Sequence, residues 1–498
     1  MRNAWLAAFL VASVAALVLV PNSPGGRAPS EDAGVFFYAA RELLTGGTPY
    51  LDVWDHKPPL IYLIDAAGLA IAGPAGVFFL QIAALAGAAL LSLRAMTHAF
   101  GLAAATFGTL AWLVAAPRLF LKDEQQTSYT EFFVLPLQFA ALAIVAARPD
   151  LRFDRRQALV LGAFAALALL LKPTLAGLWL AIALVALWRE RGRAIPTVAR
   201  MAVSGAAVVA VCAGFFAARG ALGDLVEQAF RYNLAYASFT PLVDRLGAIP
   251  EGLRLVSPSG LGPVALAAAV YAVARQGPRP ALVAVAIVAL PLELLLATSG
   301  RAYHYYFLPW LPAMGVLAAY AASEAARRVG RARSLALLAA VVVVMSIQPA
   351  RLVMRLAATG DDGVSRAAAA FVAERTVPGD RVLIWGSRAE ILILADRRSP
   401  VRYVYQYAPL ATRGYSTPSA IDEFLADLAA HSPALVVDAS LGSFVTPPLD
   451  REGLRSWVSP ETQYAWPLET ERIVAFIESN YVRAGSMSGT GWPVWRRR

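Results

Sequence analysis

The sequence predicts a multi-spanning α-helical membrane protein with a small C-terminal α/β domain outside the cytoplasm. Three observations carry this. Of 498 residues, 58% are hydrophobic and 16% charged, and mean hydropathy is +0.55, against roughly 45–50% and 25% in soluble domains. Apolar runs without charge recur up to residue 350 and then stop. The arginines between those runs are shared unevenly between alternate loops. Together these exclude an ordinary soluble enzyme, a disordered chain and a coiled coil.

Eleven runs qualify as spans: 4–20, 76–93, 99–117, 132–147, 157–171, 174–188, 201–218, 259–274, 281–298, 303–322 and 334–350. Several fall short of the ~20 residues that a 30 Å core asks for and must draw on their flanks. The first is read as an uncleaved anchor rather than a signal peptide, because the chain's richest motif follows it. The segment 59–72 contains Asp65, and whether it crosses decides every later side. Loops at 94–98, 148–156, 189–200, 275–280 and 323–333 hold fifteen arginines against four acids. The alternate loops, at 118–131, 172–173, 219–258 and 299–302, hold eight basic residues against seven acids. The positive-inside rule puts the first set in the cytoplasm, with Arg2. That holds if 59–72 lies at the outer interface as a juxtamembrane helix. An odd span count then leaves the C-terminus outside.

Residues 1–350 thus form the membrane domain, with an external loop at 21–58, and 351–498 the external α/β domain. Val382–Trp385 and Ala434–Val437 read as buried strands. Ser387 and Glu390 match a capping box before ILILAD, and Pro418 opens a helix before IDEFLADLAA. No glycine-rich nucleotide motif occurs in this part. The lone cysteine, Cys212, excludes an intramolecular disulfide and a cysteine-based metal site. The net charge of +10 fits membrane topology better than nucleic acid, and no nucleic-acid partner is expected.

With this topology the chemistry-bearing residues collect on the outer side. The first loop carries Glu31, Asp32, Tyr50, Asp55, His56 and Lys57, with a helix starting just after Glu31-Asp32. The second carries Lys122, Asp123, Glu124 and Glu131. Lys172 precedes a proline at another external turn, and Arg301 and His304 lie in SGRAYHYY. Glu293 falls inside a span. Only three of the 44 basic residues are lysine, and all three are external in this topology. A carboxylate at the membrane surface can take a proton from an attacking hydroxyl, while cations hold a departing phosphate. The plain alternatives are a solvated loop surface and, for His304, a residue of the interfacial aromatic belt.

The stretch EDAGVFFYAARELLTGGTPYLDVWDHKPPLIYL resembles the first luminal or periplasmic loop of GT-C glycosyltransferases. Bacterial relatives of protein O-mannosyltransferase and lipid A aminoarabinose transferase are the nearest in pattern. The shared features are an acid after the first span (Asp32), a G-T-P-Y turn (Gly47 to Tyr50) and K-P-P-L (Lys57 to Leu60). Fainter likeness runs through SYTEFFVLPLQFAAL, LLLKPTLAGL and GRAYHYYFLPWLPA. The resemblance implies a GT-C fold of about eleven spans. It also implies transfer of a sugar, with inversion, from a polyprenyl-phosphate donor to a lipid, glycan or protein acceptor. It makes Asp32 the catalytic acid-base residue and Glu131 its second-loop helper, with Asp123 and Glu124 as rivals. Lys57, Lys122, Lys172, Tyr50, Arg301 and His304 then serve substrate. Some members couple a divalent metal to these acids and others do not, and no other cofactor is implied. A transporter, an O-antigen-type ligase and an inactive scaffold of the same fold stay open.

Overall fold

A computed structural model describes residues 2–121, 125–275, 280–297, 301–361 and 363–498. The first 360 residues are helical almost throughout, and a helix falls on each of the eleven apolar runs. Among the described residues, five helices are long and apolar enough to cross a membrane alone, or six if a bent pair counts as one. Thr130–Ala146 and Ala281–Ala297 are shorter apolar helices inside the same bundle. Large apolar side chains such as Phe9, Phe79, Val211, Leu266 and Val344 point outward. An exposed apolar surface of this kind belongs against lipid. The protein is a multi-pass helical membrane protein.

The helix Leu60–Phe100 is broken at Ala72 and Gly73, where φ is −157° and +59°. Gly73 takes the left-handed turn that a side chain would resist, and Pro74 removes the next amide donor. The chain doubles back there. A Cβ on Gly76 would lie 1.9 Å from the Gly68 carbonyl oxygen, although the two are eight residues apart. In an unbroken helix that separation is about 12 Å. The part before the break is therefore a separate arm packed against the second.

From Val364 onward helices alternate with strands β1 (Val382–Trp385), β2 (Leu435–Asp438), β3 (Tyr481–Ser486) and β4 (Pro493–Arg497). The sheet order is β1-β2-β4-β3, with β1 and β2 parallel and the other two pairs antiparallel. Both strands read from the sequence are present, the second one residue later. Pro418 does open a helix, Pro418–Ala430. The capping box does not form. The helix Ala389–Leu394 has no side-chain cap, because Glu390 accepts instead from Ser365 Oγ at 2.9 Å and faces Arg388 at 3.5 Å. Helix Ala389–Leu394 packs against helix Glu31–Leu44, so this α/β region roofs the loop at 21–58.

Candidate active site

The first acid is placed by local structure. Ser30 caps the helix Glu31–Leu44, its Oγ accepting from the Ala33 amide at 3.3 Å. The helix begins at Glu31, one turn earlier than VFFYAARELL alone suggests, so Glu31 and Asp32 lie in its first turn. Free amides and the helix dipole favour negative charge there. The loop before it pairs with the loop that precedes helix Thr130–Ala146. Ser30 N donates to Gln126 O at 2.7 Å, and Gln126 N to Ala28 O at 2.9 Å.

Asp32 opens onto a small cleft of about 30 Å³. One wall is Glu31, Val35 and Phe36 of the same helix; another is Asp55, His56 and Lys57. Ser387, Tyr405 and Tyr407 of the α/β region close it. Arg388 reaches across to Glu31 at 3.7 Å.

Lys57 is held by a buried chain of hydrogen bonds. Its Nζ lies 2.7 Å from His56 Nε2. His56 Nδ1 lies 3.0 Å from the Tyr405 hydroxyl and 3.3 Å from Asp55 Oδ1. The Tyr405 and Tyr62 hydroxyls donate to the two Asp55 oxygens at 2.5 and 2.7 Å. Burial and the adjacent Lys57 ammonium push His56 below its ordinary pKa, against the pull of Asp55. Burial alone would raise Asp55, but its bonds to His56 and Tyr405 and the nearby Lys57 ammonium hold it well below the usual carboxylate range. The consistent assignment is a neutral His56 with its proton on Nδ1, its Nε2 accepting from a charged Lys57.

A second pair stands beside this one. Lys172 Nζ meets Glu131 Oε1 at 2.6 Å, and Thr130 Oγ1 donates to Glu131 Oε2 at 2.8 Å. The ammonium also sits 3.5 Å above the Tyr306 ring. Lys57 and Glu131 both act electrostatically on the Tyr306 hydroxyl, and Asp32 and Glu131 both act on Tyr305. The Tyr305 and Tyr306 rings lie 4.9 Å apart. The structure brings Asp32, Lys57, Glu131 and Lys172 into one neighbourhood.

The other expected residues lie elsewhere. Tyr50 is fully buried, and its hydroxyl holds the Lys57 carbonyl at 2.8 Å from behind. His304 Nδ1 lies 3.1 Å from the Leu119 carbonyl, beside the Tyr129 and Tyr305 rings. Arg301 pairs with Glu461 at 3.0 Å and covers the Tyr236 ring, in a separate pocket with Asp244 and Gln463. Lys122, Asp123 and Glu124 lie outside the described residues. Among the described residues no three His, Cys, Asp or Glu side chains converge as a metal set. Glu131, the described second-loop acid, is paired with the Lys172 ammonium.

Sequence reasoning placed Asp55 and His56 in the first loop without giving them a role, and passed over Ser387, Tyr405 and Tyr407 as site residues. Asp55 and His56 carried a signal, since they adjoin Lys57. Tyr405 carried none, because its partner is 349 positions away.

No protein-family model matches the chain, and no curated protein matches it in sequence. Its three-dimensional likeness is clear. ArnT from Cupriavidus metallidurans, solved bound to undecaprenyl phosphate, superposes with a TM-score of 0.61 at 15% identity. The match covers 99% of this chain and 98% of ArnT. This is the GT-C fold. The Archaeoglobus fulgidus oligosaccharyltransferase, solved tethered to an acceptor peptide, shares it with a TM-score of 0.55 at 12% identity. That match covers 99% of this chain and 74% of the other. The GT-C likeness spans the α/β region as well as the helices.

Proposed function

We propose that the protein is a glycosyltransferase that moves a sugar from a polyprenyl-phosphate donor to a hydroxyl of a lipid, glycan or protein on the outer face of the membrane. The observation that carries this reading is the shared neighbourhood of Asp32, Lys57 and the Lys172–Glu131 pair, set where the apolar helices end. ArnT, of the same fold, binds undecaprenyl phosphate, which supports a donor of that class. The arginine distribution supports a membrane domain of eleven spans, with the α/β region outside the cytoplasm.

In this mechanism the acceptor oxygen attacks the anomeric carbon from the side opposite the phosphate, so configuration inverts. The new C–O bond forms as the bond to the phosphate oxygen breaks, and the phosphate leaves with the electron pair. Asp32 takes the acceptor proton. The Lys57 ammonium, aimed by His56, meets the charge that develops on the phosphate. Lys172 supplies a second positive charge, and Glu131 holds it in place. A compact ammonium suits a phosphate in a narrow cleft where a planar guanidinium would need more room.

The test is transfer by purified protein. It is given polyprenyl-phosphate-linked sugars and an envelope lipid and glycan extract, and acceptor mass is followed. A sugar-sized mass gain with release of polyprenyl phosphate supports the reading. Movement of solute across proteoliposomes with the donor left intact would favour a transporter and overturn it.

A further inference from the structure

Glu293 lies in the apolar helix Ala281–Ala297 and is 1% exposed. It touches neither the cleft nor its lysines, yet it is bonded to both structures that present the Lys172–Glu131 pair. Its Oε1 accepts from the Leu178 amide at 2.8 Å and from Gln138 Nε2 at 3.1 Å. Leu178 is in the first turn of helix Gly177–Glu190, whose own cap residue, Ala176, has no side-chain acceptor. Glu293 therefore supplies, from another helix, the cap that this helix lacks. Gly177 makes room for it, since a Cβ there would stand 2.7 Å from the Glu293 carboxyl carbon. Between that capped end and Lys172 lies only the tight turn Pro173–Ala176.

Gln138 completes the frame. It lies on helix Thr130–Ala146, seven residues after Glu131 and on the same face, about 10 Å deeper. The upper rung of the frame is Glu131–Lys172, and the lower rung is Gln138–Glu293–Leu178. We infer that Glu293 is a positioning residue: by fixing the start of helix Gly177–Glu190 against helix Thr130–Ala146, it sets where the Lys172 ammonium stands relative to Glu131 and the donor phosphate. The inference rests on the proposed role of Lys172 in phosphate binding.

The experiment measures undecaprenyl phosphate binding to the full-length protein in nanodiscs. Lys172→Gln is expected to weaken binding by about tenfold or more, as loss of a charge-assisted contact does. Glu293→Leu should weaken it comparably, and the double variant should be little worse than either, because both changes act through one ammonium. Glu293→Gln should stay within about threefold of wild type. Its amide oxygen still accepts from Leu178, and its amide group can donate to Gln138 Oε1, which has no partner in the structure. Should Glu293→Leu fail to accumulate, Gly177→Ala displaces the carboxylate and should weaken binding in the same way. If Lys172→Gln binds normally, the phosphate role of Lys172 fails and the inference falls with it. If Lys172→Gln weakens binding while folded Glu293→Leu or Gly177→Ala does not, or if the losses multiply in the double variant, the inference alone is overturned.

Discussion

The Tyr405 hydroxyl and His56 Nδ1 lie 3.0 Å apart across 349 residues of chain. One comes from the α/β region and the other from the loop at 21–58. The contact selects the His56 tautomer whose Nε2 is free to accept from Lys57. The α/β region therefore acts on the orientation of a cation beside the first-loop acid.

This yields a pH prediction. His56 is depressed below its ordinary pKa of about 6.5, so at neutral pH it is uncharged and accepts from Lys57. As pH falls through its folded pKa it gains a proton, the Lys57 bond is lost and like charges meet. The stability it contributes is present above about pH 6.5 and is lost on acidification. Donor KM should rise on the acid side of pH 6.5. His56→Gln keeps an acceptor without a titrating ring and should flatten that rise. Steady-state kinetics between pH 5 and 8 in both proteins checks this.

Asp32→Asn should lower turnover by at least ~10²-fold. Accumulation and melting should stay near wild type, because Asp32 is partly exposed in the first turn of a helix and adds little to the core. Single-turnover transfer measures it. Near-normal turnover would remove Asp32 as the base and bring forward Glu31 or Glu131.

The lysines can be tested by shape at constant charge. Lys57→Arg loses the 2.7 Å contact geometry with His56, and Lys172→Arg must refit between Glu131 and the Tyr306 face. Each should cost about tenfold or more in donor turnover, whereas Lys122→Arg should cost less. Wild-type turnover in both Lys57→Arg and Lys172→Arg would empty the lysine pattern of site information.

Glu390 gives a prediction on stability alone. Burial raises its carboxyl from 4.5 to about 7, over the opposing effect of Arg388. A raised carboxyl stabilises the fold below its unfolded pKa, and that contribution disappears as pH climbs through about 7. Glu390→Gln should therefore lessen the loss of stability between pH 5 and 8, by at most about 3 kcal/mol. Thermal melts at the two pH values read this directly.

Much of this architecture was legible in the sequence because lipid imposes a simple rule on composition. Each of the eleven apolar runs became a helix, and the arginine count set 59–72 apart without pointing to the break at Gly73-Pro74. Asp32 and Lys57 were legible because they sit in one dense local motif. Glu131 and Lys172 were found one by one, but their 2.6 Å pairing was not, since it joins two helices. The Ser387–Glu390 cap looked right locally and failed because Ser365 and Arg388 engage Glu390. Strands β3 and β4 were missed because Tyr481–Ser486 is almost wholly exposed and Pro493–Arg497 ends in arginines, so neither carries an apolar run.

The pairing of Ser30 and Gln126 with the closure by Ser387, Tyr405 and Tyr407 also bears on how the protein is born. Asp32 and Lys57 emerge early from the ribosome, yet the wall facing them is encoded more than three hundred residues later. A nascent chain holding the membrane helices alone has the acid and the lysines but no Tyr405 to orient His56. The cleft is complete only late in synthesis, when the last quarter of the chain folds down onto the first.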